Sequence, residues 1–133
     1  MDTNVLFEGV TQQGGDCGML VEAWRVGLLQ ACVSNTLALE YEDVLARKLS
    51  PSRWQAIEPL LAVLLKRAEF VKTYYTWRPS SPDPGDEHVI DCALTAGAPV
   101  VTYNGKDFRA AQKSLGLLVL TPSEAVAALA AQP

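Results

Sequence analysis

The sequence predicts an α/β fold, a three-layer α/β/α arrangement with a central, mostly parallel sheet, and three observations carry that expectation. Segments with a 3.6-residue apolar period alternate along the chain with short apolar runs, the pattern of strands joined by helices. The run Pro99-Val100-Val101-Thr102 is continuously apolar, as in a strand covered on both faces. Asp2, Glu40, Asp86 and Asp107 fall at or near the ends of predicted elements, and ligand chemistry in open α/β sheets collects at strand ends.

Taken in order, Asp2 is placed to cap a short first helix, and by itself it reads as no more than a cap. Gly14-Gly15-Asp16 is a loop with a capping acid. An amphipathic helix through Met19, Leu20, Ala23 and Trp24 follows and ends near Gly27. Leu28 to Val33 reads as a strand. Ser34-Asn35-Thr36 then caps a helix from Leu37 to Leu49. Glu40 lies on or beside the apolar stripe of that helix, among Leu37, Tyr41, Val44 and Leu45. It is either a boundary carboxylate reaching water along the helix edge or one aimed into a cleft.

Ser50-Pro51 starts the next helix, with Trp54, Ile57, Leu60, Leu61, Leu64 and Leu65 on its apolar face. Pro59 is expected to kink or split it. Glu69 to Tyr75 alternates as a strand does. Ser81-Pro82-Asp83-Pro84-Gly85 holds the chain extended. Asp86 caps a helix carrying Val89, Ile90, Ala93 and Leu94, and Gly97 ends it. After the strand at Pro99–Thr102, Asn104-Gly105 makes a turn and Asp107 starts a helix through Phe108, Ala111 and Leu115 that stops at Gly116. Leu117 to Leu120 is a further buried strand. Thr121-Pro122-Ser123-Glu124 is a capping box ahead of a last, alanine-rich helix.

With 133 residues, one domain spanning 1–133 is expected, and no linker or repeat divides the chain. No apolar run is long enough to cross a bilayer, which points to a cytoplasmic protein without a membrane partner. Cys17, Cys32 and Cys92 are odd in number and widely spaced, which argues against a disulfide framework or a zinc site. The net charge of −4 argues against nonspecific nucleic-acid binding by the whole surface, though not against a local basic groove. His88 is the only histidine, so no site is built on two. Gly14-Gly15 lacks the rest of a phosphate-binding loop. Carboxylates are what remain.

Five stretches carry a resemblance: Asp-Thr-Asn-Val-Leu at 2–6, Ser34 with Glu-Tyr-Glu-Asp-Val-Leu-Ala-Arg-Lys-Leu at 40–49, Pro-Asp-Pro-Gly-Asp-Glu at 82–87, Ala-Pro-Val-Val-Thr-Tyr-Asn-Gly-Lys-Asp-Phe at 98–108, and Thr-Pro-Ser-Glu at 121–124. In that order and spacing they resemble the PIN-domain family. More narrowly, they resemble the VapC-like toxin ribonucleases of type II toxin–antitoxin systems. The resemblance implies a metal-dependent endoribonuclease whose acidic triad is Asp2, Glu40 and Asp86, with Asp107 as a fourth acid. It implies that Asp2, Asp86 and Glu40 hold Mg²⁺ or Mn²⁺, that Thr3 and Asn4 support Asp2, and that Thr102 and Asn104 support the last loop. Hard octahedral ions of this kind prefer an all-oxygen donor set. Lys106 and Arg109 beside Asp107, with Arg47 beyond the Glu40 helix, are the candidate contacts to an RNA substrate. A cognate antitoxin protein would cover the acidic cleft.

Two departures from the family pattern are visible. Asn104 stands where many members carry another aspartate. Only Met1 precedes the first motif, where the family has a central strand, so the first strand reads as truncated. Leu28–Val33 and Pro99–Thr102 are then expected to flank its place, and a homodimer or upstream residues would fill it. The departures keep a second function open: a PIN-like module that binds RNA or a protein without cutting.

Overall fold

The computed structural model describes residues 1–12, 14–72 and 86–131. The proline-rich stretch at 81–85 and residues 73–75 of the expected second strand lie outside them. Seven helices and four short strands are found there: α1 Thr3–Thr11, α2 Asp16–Arg25, β1 Cys32–Val33, α3 Asn35–Lys48, α4 Pro51–Arg67, β2 Glu69–Phe70, α5 Asp86–Ala96, β3 Val100–Val101, α6 Arg109–Leu115, β4 Val119–Leu120 and α7 Pro122–Ala130. The mixed, helix-rich α/β character is as expected. The sheet is not one continuous layer among the described residues: β1 pairs in parallel with β2, and β3 in parallel with β4, as two separate pairs.

Helix ends follow the local chemistry where hydroxyls cap them. Ser34 Oγ accepts the Leu37 N–H, Ser50 Oγ accepts the Arg53 N–H, and Thr121 with Glu124 completes the capping box. The acids behave differently. Asp16 is the first helical residue of α2 rather than its cap, Asp86 is the first described residue of α5, and Asp2 precedes α1 without a side-chain cap. Asp107 falls inside a 3-10 turn at Gly105–Phe108 that leads into α6. Gly27, Gly97 and Gly116 take positive φ just past α2, α5 and α6, as expected of terminating glycines.

Three further expectations are corrected. Leu28 to Ala31 is not strand: the Leu28 and Leu29 N–H groups bond back to the Ala23 carbonyl, and Leu28 stands exposed. The closing turn of α2 takes those backbone groups, so only Cys32–Val33 pair. Of the two outcomes expected at Pro59, the split does not occur, since α4 runs through it. Gln55, whose carbonyl loses its donor, and Pro59 itself are both on the exposed side, where the vacant acceptor stays open to solvent. The strand expected over Glu69–Tyr75 is confined to Glu69–Phe70 within the described residues.

The main core joins Leu6 of α1, Trp24 of α2, Leu37, Tyr41 and Leu45 of α3, Leu61 and Leu64 of α4, Ile90 of α5, Val100 and Phe108. A smaller cluster of Val5, Cys17, Leu20 and Ala125 sets α1 and α2 against α7. α1 and α2 approach closely at Gly9. A Cβ there would stand 2.4 Å from Val21 Cγ2 and 2.6 Å from the Cys17 carbonyl oxygen. This packing fixes the start of α1 against α3 and β3, and that is where the acids meet their partners.

Candidate active site

Asp2 is held at three points. Its N–H donates to the Val101 carbonyl at 2.9 Å, its own carbonyl accepts the Leu6 N–H that opens α1, and its side chain turns to β3. There Thr102 Oγ1 donates to Asp2 Oδ2 at 2.6 Å. The same hydroxyl oxygen accepts the Asn104 N–H at 3.0 Å. A chain of hydrogen bonds therefore runs from the loop after β3 through Thr102 to the buried carboxylate, each bond polarising the next. Asp2 is 4% exposed and Thr102 1%. The capping reading of Asp2 is overturned, because its carboxylate is spent across the fold rather than on its own helix.

Glu40 is fixed by α1. Thr3 Oγ1 donates to Glu40 Oε2 at 2.7 Å, so the glutamate lies against the start of the first helix and not out on the solvent face. Next to it, the Tyr41 hydroxyl donates to the Met1 carbonyl. Burial pushes the Tyr41 phenol well above its ordinary range, so it stays a donor throughout the physiological pH range. This corrects the support roles: Thr3 orients Glu40 rather than Asp2. Asn4 is exposed on the first turn of α1 and makes no hydrogen bond with Asp2.

Asp86 opens α5 and is buried, at 9% exposed. Two more acids of that helix are buried, Glu87 at 3% and Asp91 at 4%. The sequence reading singled out neither, although their spacing of four places them on one face, which was the available signal. Asp107 is half-buried in the 3-10 turn, its N–H on the Asn104 carbonyl. Lys106 and Arg109 are exposed beside it. Arg47 is exposed and engaged with Asp43 at 3.5 Å, and Lys48 sits 5.5 Å from the centre of the Phe7 ring.

Beside the loop, Tyr103 and two neighbours form a small polar cluster. The Tyr103 hydroxyl donates to Glu8 Oε2 at 2.7 Å and receives the Cys17 thiol at 3.1 Å. The hydrogen bonds from Cys17 and Tyr103 hold the Glu8 carboxyl below its usual value. Burial, then the Glu8 hydrogen bond, pushes the Cys17 thiol up to about 11.

The structure thus brings together Asp2, Thr102 and Asn104 at one point and Thr3 with Glu40 at an adjacent one. Among the described residues, no group of three or more His, Cys, Asp or Glu side chains stands ready to hold a metal ion. The donor set is nevertheless of the right kind for a hard ion. Thr102 engages one oxygen of the Asp2 carboxylate and Thr3 one oxygen of the Glu40 carboxylate, so both acids are oriented by neutral hydroxyls.

The family model of the PIN domain matches residues 1–106 of this chain. No curated protein matches it.

Proposed function

Because the chain belongs to the PIN-domain family, whose members are typically nucleases that use divalent metal ions, we propose that it is a metal-dependent endoribonuclease. In this reading it is the toxin of a toxin–antitoxin pair, cytoplasmic, with the family's three-layer α/β/α arrangement. The observation that carries the reading is the Asn104–Thr102–Asp2 chain of hydrogen bonds beside the Thr3–Glu40 pair. Segments about one hundred and about forty residues away in sequence are bonded to Asp2, just ahead of α1, and to Thr3, its first residue. Structural caps need no such convergence.

Asp2, Asp86 and Glu40 would hold Mg²⁺ or Mn²⁺. Such an ion, when bound, acidifies water and neutralises charge on a phosphodiester. The residues around it have their own tasks. Thr102 and Thr3 hold Asp2 and Glu40 in fixed orientations, so less reorganisation is needed on loading. Asp107, on the loop that Thr102 anchors through Asn104, supplies the fourth acid. Lys106 and Arg109 lie where the RNA backbone would run past that loop. Arg47 contributes less, since Asp43 already engages it. An antitoxin would act by covering the acidic mouth.

Asn104 supports a second reading, a module that binds RNA or protein without cutting. It presents an amide where an acid is expected and uses its backbone N–H to brace Thr102. One experiment separates the two. Asp86→Asn keeps the size of the side chain and removes its charge. It is expected to melt close to the native chain and to lose RNA cleavage assayed with Mg²⁺ or Mn²⁺. Equal cleavage by both proteins would remove Asp86 from the site, and no cleavage by the native chain, with RNA still bound, would favour the binding module.

A further inference from the structure

Tyr103 follows directly on the residue that holds Asp2, and it is 56% exposed. Single apolar side chains at a surface need no explanation, and Leu28, Leu39 and Leu118 are of that kind. Tyr103 differs in how it is held. Its hydroxyl donates to Glu8 Oε2 of α1 at 2.7 Å and accepts the Cys17 thiol of α2 at 3.1 Å. The polar tip is tied to two helices while the side chain stays open to solvent. A ring joined to the backbone at one end and bonded at the other has little rotational freedom left, so it loses little entropy when a flat group packs on it.

The loop after β3 sets this ring beside the acids. Thr102 Oγ1 bonds the Asp2 carboxylate, and the next residue bonds Glu8 further along α1. Those two anchor points lie about 9 Å apart along the helix axis. A base on the ring and a phosphate at Asp2 can therefore belong to the same or to neighbouring nucleotides. Asn104, Lys106 and Arg109 are exposed just after Tyr103 in the chain, polar and cationic groups for the nucleic-acid backbone. Charge by itself is a poor source of affinity here, because the net charge is −4 and the mouth is acidic. Stacking on an aromatic ring attracts an unpaired base whatever the charge around it.

We propose that Tyr103 is the stacking platform for an unpaired base of the RNA, next to the phosphate presented to Asp2, an assignment that rests on RNA being the substrate. It makes single-stranded or looped RNA the substrate class. In a duplex the bases are paired and stacked on one another, and they offer the ring no face. Purines, with the larger face, stack more strongly than pyrimidines.

The test reads binding apart from cleavage. The Asp86→Asn protein, expected not to cut, is titrated in Mn²⁺ with a labelled single-stranded RNA of about eight nucleotides, followed by fluorescence anisotropy. In this background Tyr103→Leu is expected to bind about tenfold more weakly, at low and at high salt alike, since stacking releases no counterions. Tyr103→Phe keeps the ring and is expected to bind within about threefold of the tyrosine protein. An abasic sugar moved along the RNA should find one position that weakens binding about tenfold with Tyr103 and has no effect with Tyr103→Leu. The same RNA in a duplex should bind both proteins equally. Equal binding of single strands by Tyr103→Leu, or no abasic position that depends on the ring, would overturn the proposal. Tyr103→Phe binding as weakly as Tyr103→Leu would also overturn it, leaving Tyr103 a latch between the loop and the two helices. Failure of the nuclease reading looks different: the native chain then leaves RNA uncut while binding still depends on the ring. Absence of RNA binding by all of these proteins would overturn both.

Discussion

Thr102 is the residue on which the geometry of Asp2 turns. Replacing it with valine keeps the shape but leaves Asp2 Oδ2 and the Asn104 N–H without their shared partner. The expected cost is about 1–3 kcal/mol of stability, with a loss of RNA cleavage. Thr102→Ser keeps the hydroxyl and should restore both. Denaturant melts and cleavage assays on the pair check this, and a fully active Thr102→Val would show that the main chain alone holds Asp2. A second residue-scale prediction concerns Cys17, whose thiol is raised from 9.0 to about 11 by burial. The folded state holds this proton more tightly than the unfolded state does. Its contribution to stability is therefore complete below pH 9 and lost as pH rises through about 11. The stability difference between the native chain and Cys17→Ala should shrink across that window, followed by urea unfolding at successive pH values. Neither feature was open to sequence reasoning, because Asp2 and Thr102 are neighbours only after the chain has folded.

At the scale of elements, α1 and α2 cross so closely at Gly9 that no side chain fits. Gly9→Ala places a Cβ 2.4 Å from Val21 Cγ2 and 2.6 Å from the backbone oxygen of Cys17. The valine can rotate, but the carbonyl cannot move without shifting α2. A destabilisation of about 1–3 kcal/mol is expected despite the better helix propensity of alanine. A thermal melt measures it, and an unchanged melting temperature would mean that the two helices separate at little cost. Because Thr3 of α1 orients Glu40, such a separation should also disturb the acids. Helix positions were largely legible beforehand, since their signals are local: hydroxyl caps, Pro51 and Pro122 at first positions, and glycines past the ends. Strand extents were not. Leu28 and Leu29 have strand composition, yet the end of α2 takes their N–H groups.

For the molecule as a whole, the electrostatic question is how many cations its acids can hold. Two ions close together need enough negative charge between them to offset their repulsion. With Asn104 in place of a further acid, one ion is expected to bind through Asp2 and Asp86, and a second only weakly. Asn104→Asp adds a charge without a change of size and should tighten the second ion and raise cleavage at low metal concentration. Calorimetric titration with Mn²⁺ checks this. Two ions of similar affinity on the native chain would leave Asn104 only its backbone role at Thr102.

The sequence by itself determined the order of helices and strands and the acids to consider. Each of these depends on residue type and on spacing within a few turns. Tertiary structure alone decided which acid meets which hydroxyl. It paired Thr3 with Glu40 and Thr102 with Asp2, contacts separated by 37 and 100 residues. It also buried Glu87 and Asp91 and left β1–β2 and β3–β4 as separate pairs. Those outcomes depend on how distant segments share one interior, and no local pattern encodes that.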